Sequence, residues 1–110
     1  MNQPLVSLLI PVYNVEAYIE RCSRSAFEQT YQNLEFIFVN DASPDSSVDV
    51  LQQVIADYPK RHDGIKILYH KRNKGLASAR NTAVDACRGE FVIHVDSDDW
   101  LEPEAVELLV

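Results

Sequence analysis

Runs of apolar residues that alternate with helical patterns are the feature that most constrains the fold of this chain. Residues 5–12 are almost continuously apolar, which is typical of a strand buried on both faces of a sheet. Residues 34–39, 65–69 and 91–95 follow as further strand-like runs. Because strands buried on both faces need helices above and below them, the pattern predicts an α/β fold with a parallel sheet.

The segments between these strands carry apolar residues at helical spacing. The predicted helices lie around residues 15–27, 48–55 and 76–87, with a last one opened by residues 102–104. Asn14 is the predicted N-cap of the first helix, and Pro103 suits the first turn of the last. Asp63-Gly64 predicts a turn before the third strand.

The short connections imply right-handed crossovers between parallel strands. We expect a mostly parallel sheet of strand order 3-2-1-4, with helices on both faces and a topological switch between strands 1 and 4. Ligands of open α/β sheets bind beyond the carboxyl ends of the strands at such a switch. The polar segments that follow the strands should therefore meet at one edge.

Three of those segments are acidic or polar, and one is basic. The fourth strand runs into Asp96-Ser97-Asp98-Asp99, and clustered carboxylates after a buried strand are costly because like charges repel and lose hydration. A bound cation is the usual compensation, since hard cations take oxygen ligands. Capping of the last helix is the alternative explanation. The third strand runs into residues 70–74, a basic cluster that suits an anionic ligand or simply solvent.

Composition narrows the function classes. The 110 residues suffice for at most one domain, and a net charge of −7 argues against nucleic acid or an anionic membrane surface as the main partner. We expect no signal peptide and no membrane-spanning segment. Cys22 and Cys87 are expected to be buried, reduced thiols of a cytoplasmic protein.

Four blocks, in order along the chain, resemble the family 2 glycosyltransferases: residues 6–14, 39–45, 73–81 and 96–99. The resemblance covers nearly the whole chain and implies the GT-A fold, a Rossmann-like nucleotide-binding sheet. It also implies transfer of a sugar from a nucleotide-sugar, usually a UDP-sugar, with inversion at the anomeric carbon. Dependence on Mn²⁺ or Mg²⁺ is part of the same implication.

The resemblance assigns roles in binding the nucleotide-sugar. Pro11, Val12 and Tyr13 would line the base and ribose pocket, with Tyr13 supplying an aromatic face. Asp41 would accept the N3–H of uracil; its alternative role is a cap or an Asx-turn. Glu16 would order the first loop or favour the first helical turn.

The acidic block would hold the metal ion. By resemblance, Asp98 would contact the cation directly, Asp96 would bind the ribose or the ion through water, and Ser97 would lie against the donor. The ion would stabilise the departing UDP as a Lewis acid. Asp99 is expected to cap the last helix. Arg80, on the third helix, would support the acidic loop or reach the diphosphate, unless it is a surface charge.

Four other residues carry smaller expectations. His94 is expected to pack within the fourth strand. Trp100 is expected to cover the sheet, with a position facing the donor sugar as the alternative. Ala42 and Pro44 stand where the family more often has Gly and Thr, which predicts a slightly stiffer loop.

The resemblance also predicts what lies outside residues 1–110. Because residues 104–110 read as a helix without a cap, we expect residues 1–110 to be the N-terminal nucleotide-binding part of a single GT-A domain. The chain alone should be inactive, since the acceptor half and the base are absent from it. The catalytic base would lie beyond Val110. The acceptor would be a glycan or a lipid-linked sugar of a cell-surface polysaccharide. The enzyme would be cytoplasmic or at the inner face of the membrane, with any membrane association supplied by the missing region.

Other classes stay open at this point. A non-catalytic nucleotide- or metal-binding module fits the same residues. A phosphoryl-transfer enzyme, such as a receiver domain or an aspartate-nucleophile phosphatase, also has acids at strand ends. The phosphatase motif D-x-D-x-T, however, follows a first strand, and Trp100 stands where its Thr belongs. A Rossmann dehydrogenase is disfavoured because the first strand is not followed by G-x-G-x-x-G.

Overall fold

A computed structural model describes residues 3–110 of the chain. Its elements, in chain order, are β1 (Val6–Val12), α1 (Ile19–Phe27), β2 (Leu34–Asn40), α2 (Ser47–Ala56), a 3-10 helix (Pro59–Gly64), β3 (Ile65–Tyr69), α3 (Leu76–Ala86), β4 (Phe91–His94) and α4 (Ala105–Leu109). Within this part of the chain, no helix combines the length and the apolar character that crossing a membrane requires.

The four strands form one parallel sheet in the order β3-β2-β1-β4. This confirms the α/β class and the predicted strand order. Strand β1, one of the two inner strands, pairs at Val6 with both Leu34 of β2 and Phe91 of β4. The switch point therefore lies between β1 and β4, and the carboxyl ends of β1, β2 and β4 open on the same edge.

Side chains alternate along the strands and divide the core into two layers. One layer joins the sheet to α1, α2 and α4, and at its centre Phe27 packs edge-on to Phe36 with 5.0 Å between ring centroids. The other layer holds Leu9 and the smaller side chains of α3, among them Ala79. Because alanine is short, α3 can lie close to the sheet, and its N-terminus is thereby placed beside the ends of β1 and β2.

The start of the first helix differs from the prediction. Asn14 does not cap α1, which begins five residues later at Ile19. Asn14 instead takes a left-handed backbone conformation with φ of 55°, and its N–H donates to Ser43 Oγ at 2.8 Å. A turn fills the gap, because the carbonyl of Val15 accepts the N–H groups of Tyr18 and Ile19, each at 2.8 Å.

Three other side chains lie elsewhere than expected. His94 is exposed, because β4 is an edge strand. Trp100 does not cover the sheet: it is 41% exposed and lies under the guanidinium of Arg21, 4.4 Å from the ring centroid. Cys22 is a buried thiol as predicted, but Cys87 is only half-buried.

Candidate functional site

A pocket of about 240 Å³ opens at the predicted edge of the sheet, beyond the carboxyl ends of β1 and β2. Its lining residues are Pro11, Tyr13, Asp41, Asn73, Gly75, Leu76, Ala79 and Ser97. Four of the residues assigned to nucleotide-sugar binding therefore meet here, from the carboxyl ends of three different strands and the segments that follow them. The Tyr13 ring is 45% exposed, which leaves its surface accessible to a stacking partner.

Val12 and Arg80 take other positions. Val12 is fully buried in the core and its carbonyl accepts the Asp41 N–H at 3.0 Å, so its side chain is separated from the pocket. Arg80 does not line the pocket. Its Nη2 donates to Asp96 Oδ1 at 3.1 Å. Of the roles expected for Arg80, this contact corresponds to support of the acidic loop.

Asp41 is the buried charge of the pocket, 3% exposed. Its Oδ1 accepts the Lys74 N–H at 2.8 Å, and its Oδ2 accepts the Gly75 N–H at 2.9 Å. Burial favours the neutral form, but hydrogen bonds from His70, Lys74 and Gly75 outweigh it and hold the Asp41 pKa below its usual value. The group is therefore an ionised acceptor at the N-terminus of α3.

His70 completes the environment of Asp41 and was not identified from the sequence. Its Nδ1 lies 2.7 Å from Asp41 Oδ1, and its Nε2 lies 2.8 Å from Thr82 Oγ1 on α3. In the sequence, His70 is simply the first residue of the basic cluster. Nothing in the local pattern connects it to an aspartate 29 positions earlier.

The acidic loop follows β4 at the side of the pocket. Asp96, Asp98 and Asp99 are all exposed, and the Asp99 N–H donates to the Asp96 carbonyl at 2.9 Å, which closes a turn. Asp99 Oδ1 accepts the Trp100 N–H at 2.8 Å rather than an N–H of α4, so it caps its own turn and not the last helix.

Helix α1 supports this loop from below. The Cys22 thiol lies 3.7 Å from the Asp96 carbonyl, and Ser25 Oγ accepts the Leu101 N–H at 3.0 Å. Burial raises the pKa of the Cys22 thiol to about 12, and the charges of the three loop carboxylates add to the shift. All three carboxylates thus raise the pKa of the same thiol, which indicates that their negative charges lie close together beside α1.

The acidic loop fits a cation that a ligand helps to hold. Within residues 3–110, no three His, Cys, Asp or Glu side chains converge as a complete metal site. The donor set of the loop is carboxylate oxygen, which suits Mg²⁺ and Mn²⁺, and Mg²⁺ is commonly bound by one or two carboxylates plus phosphate oxygens. Arg80 Nε, a buried donor without a partner beside the same loop, suits a phosphate oxygen of such a ligand rather than the ion itself. The residues present therefore fit such an ion.

A second network joins the loops after β1 and β2. The Glu16 N–H donates to Asp45 Oδ2 at 3.1 Å, and the Ser46 N–H donates back to Glu16 Oε1 at 2.9 Å. This arrangement corresponds to the loop-ordering role considered for Glu16, which does not line the pocket. Burial opposes ionisation of Asp45, but hydrogen bonds from Ser43, Ser47 and the Glu16 N–H lower its pKa to about 2.

The basic cluster after β3 flanks the pocket without lining it. Lys71, Arg72 and Lys74 border a separate shallow groove with Tyr69 and His70, and all three cations are exposed. Their charge would attract an anion to this edge of the sheet, which is the role the sequence allowed them.

Comparison with known proteins gives one consistent result. Residues 7–110 match Glycosyl transferase family 2. The chain is 47% identical over 105 residues to the chondroitin synthase of Escherichia coli, a match that covers 96% of this chain and 15% of the synthase.

Solved structures agree in fold. S. aureus TarS 1-349 in complex with UDP superimposes with a TM-score of 0.83 at 28% identity, over 94% of this chain and 30% of TarS. The mannosyltransferase PcManGT from Pyrobaculum calidifontis, in complex with GDP-Man and Mn²⁺, gives a TM-score of 0.83 at 28% identity, over 90% of this chain and 29% of its own.

The chain therefore spans less than a third of the length of each of these relatives. The fold they share with it is the predicted GT-A sheet, and the family match covers almost every described residue. This chain belongs to glycosyl transferase family 2.

Proposed function

We propose that the chain binds the nucleotide of a nucleotide-sugar, as the N-terminal part of a GT-A domain that transfers the sugar in polysaccharide synthesis. The observation that carries the proposal is the ionised Asp41 at the pocket, with an accessible Tyr13 ring beside it and the acidic loop at its side. The chondroitin synthase relative and the nucleotide complexes of the two structural relatives support it.

The donor we propose is a UDP-sugar. An ionised carboxylate only accepts hydrogen bonds, so Asp41 suits a base that presents a ring N–H, as uracil does at N3. The complexes of TarS with UDP and with UDP-GlcNAc support this choice. Guanine also presents a ring N–H, and PcManGT holds GDP-Man, so a guanosine donor is the second candidate.

The metal we propose is Mn²⁺ or Mg²⁺, held by Asp98 directly, while Asp96 binds the ribose or the ion through water. Such an ion supplies Lewis acidity that neutralises the charge of the diphosphate as it leaves. Arg80 holds Asp96 in place, and its unpartnered Nε provides a further donor toward an anion. PcManGT was solved in complex with GDP-Man and Mn²⁺, which supports a divalent metal in the proposed function.

The remaining parts of the reaction concern regions outside this chain. We propose an inverting transfer to a glycan or lipid-linked acceptor on the cytoplasmic side of the membrane. As the family resemblance implies, the base that activates the acceptor hydroxyl would come from beyond residue 110, and this chain covers only 15% and 30% of the chondroitin synthase and of TarS.

Calorimetric titration of UDP in the presence and absence of Mn²⁺ tests the proposal. We expect binding that Mn²⁺ strengthens in the unsubstituted chain. The Asp98→Asn variant should lose the Mn²⁺ dependence, and Asp41→Asn should lose affinity for UDP with and without the ion. Asp85→Asn, an exposed carboxylate on α3, is the matched control and should behave like the unsubstituted chain.

Circular dichroism on the same samples separates binding from folding. A folded chain that binds no UDP under either condition would refute the donor assignment. UDP binding that is identical with and without Mn²⁺ would refute the metal assignment while leaving the nucleotide pocket in place.

A further inference from the structure

A buried relay of three side chains connects α3 to the pocket. Thr82 on α3 contacts His70 after β3, and His70 contacts Asp41 after β2, with 2.8 Å and 2.7 Å between the paired atoms. Only 8% of the His70 side chain and 4% of the Asp41 side chain are exposed. The pair therefore lies inside the protein and not among the exposed cations that follow it in sequence.

The chemistry of the partners fixes where the imidazole hydrogen lies. The Asp41 carboxylate is ionised and can only accept, so His70 Nδ1 must carry the hydrogen that faces it. The other ring nitrogen, Nε2, is then free to accept the hydroxyl hydrogen of Thr82. Thr82 thereby orients the ring, and the ring orients the carboxylate.

Counting acceptor positions shows what Asp41 has left for a ligand. Each carboxylate oxygen offers two lone pairs. His70 and the Lys74 N–H occupy both positions of Oδ1, whereas Oδ2 accepts only the Gly75 N–H. One acceptor position therefore remains, on the oxygen next to Gly75, and Gly75 itself lines the pocket.

We propose that His70 is a positioning residue that holds Asp41 as a fixed acceptor and thereby sets the selectivity of the pocket for uracil over cytosine. The inference rests on the proposed function, since it concerns the base of the same nucleotide. Uracil presents N3–H and can donate to Asp41. Cytosine presents an unprotonated N3, whose lone pair meets the lone pair of the carboxylate.

Loss of His70 should weaken this selectivity in two ways. Oδ1 would lose a buried donor, so the carboxylate could rotate away from the pocket. A carboxyl group without its donor can also take up a proton, and the neutral acid could donate to cytosine N3. Both effects reduce the preference for uridine over cytidine nucleotides, whereas a general loss of packing would weaken both alike.

Two amide substitutions of His70 test its contact with Asp41 and its contact with Thr82 independently. The amide nitrogen of His70→Asn falls near the position of Nδ1 and can still donate to Asp41. The amide of His70→Gln reaches the position of Nε2 and keeps contact with Thr82 only. His62→Gln is the matched control, because His62 is exposed and its Nε2 contacts the Ile55 carbonyl far from the pocket.

The experiment is calorimetric titration of UDP and CDP into each variant with Mn²⁺ present. We expect the unsubstituted chain, His62→Gln and His70→Asn to prefer UDP. His70→Gln should lower the ratio of UDP to CDP affinity by about tenfold, since a hydrogen bond to a charged group is lost. Thr82→Val should lower the ratio less, and it serves as the second variant if His70→Gln does not fold.

The outcomes distinguish this inference from the proposed function. UDP binding by the unsubstituted chain with an unchanged UDP-to-CDP ratio in His70→Gln or Thr82→Val would overturn the role of His70 and leave the donor pocket standing. Failure of the folded, unsubstituted chain to bind UDP would overturn both. Nitrogen NMR of the imidazole provides an independent check: we expect a hydrogen on Nδ1, and one found only on Nε2 would refute the relay.

Discussion

At the scale of single residues, Ala42 occupies a backbone conformation that disfavours its side chain. Its φ is 57°, in the left-handed region, where a non-glycine residue costs roughly 1–2 kcal/mol. Ala42→Gly removes that cost but adds freedom to the unfolded chain, so we expect a net gain in stability of roughly 0.5–1 kcal/mol. Urea denaturation measures it, and a loss of stability would contradict the explanation.

Asp45 gives the loops after β1 and β2 a dependence on pH. Because its pKa is lowered to about 2, the stabilisation it provides is complete above the ordinary pKa of about 4 and is lost as the pH falls toward 2. The carboxylate is partly exposed, so we expect Asp45→Asn to cost only about 1 kcal/mol at pH 7.

The difference between Asp45→Asn and the unsubstituted chain should then shrink as the pH falls from about 4 to about 2. Urea midpoints at several pH values measure this. Asp49→Asn, an exposed carboxylate on α2, is the control and should show little change. A difference that stays constant with pH would show that the ionised form is not what stabilises the loops.

Single residues also show how far the sequence predicts the site. Pro11 lies near the end of a predicted strand and Tyr13, Asp41 and Ser97 follow predicted strands, so the topology brings them to one edge, and the structure places all four at the pocket. Their binding roles stay predictions. His70 also follows a predicted strand, but the sequence shows only its place in the basic cluster. Its contact with Asp41 depends on the distance between two loops and leaves no local pattern.

At the scale of elements, Arg61 ties the end of α1 to the segment that leads into β2. Its guanidinium donates at 2.9–3.2 Å to the carbonyls of Phe27, Gln29, Tyr31 and Gln32. Planar geometry lets one side chain reach several acceptors, which an ammonium cannot reproduce. We expect Arg61→Ala to cost roughly 2–3 kcal/mol and Arg61→Lys to recover little of it.

Thermal or urea denaturation of both Arg61 variants provides the measurement. Lys60→Ala, next to it on the same 3-10 helix and exposed, should change stability by less than about 0.5 kcal/mol. Full recovery by Arg61→Lys would mean that charge, rather than the shape of the guanidinium, stabilises this region.

The order and type of the elements were predictable because each strand and helix carries a strong periodic pattern. The residues at which the elements begin and end were less predictable. The start of α1 was predicted too early, since Asn14 looks like a cap but hydrogen-bonds across to Ser43 of another loop. The turn predicted at Asp63-Gly64 proved to be the end of a 3-10 helix that begins at Pro59. Both differences depend on contacts outside the regular elements, and the spacing of apolar residues along the sequence does not reveal such contacts.

At the scale of the whole molecule, the two edges of the described sheet differ. The β3 edge carries an exposed charge, Lys66, whereas β4 presents Phe91 and Val92 at 49% and 40% exposure. An uncharged apolar edge strand is a site of association between chains. We expect this chain to self-associate as its concentration rises, and Val92→Lys to reduce that association.

Sedimentation velocity across a concentration series measures the effect. Val84→Lys is the matched control, because Val84 is similarly exposed at 45% but lies on α3 and adds the same charge. Equal reductions in the two variants would attribute the association to net charge instead of to the edge of β4.

The pairing of β1 also has a consequence for synthesis on the ribosome. β1 is the first of the four described strands to be made and one of the two inner ones, yet its partner on one side, β4, begins at Phe91, 85 residues after Val6. At a synthesis rate of about 5–20 residues per second, roughly 4–17 seconds pass between the synthesis of β1 and the start of β4. During that interval Leu8 and Leu9 are exposed to other hydrophobic segments, so chaperone demand should be greatest before β4 leaves the exit tunnel.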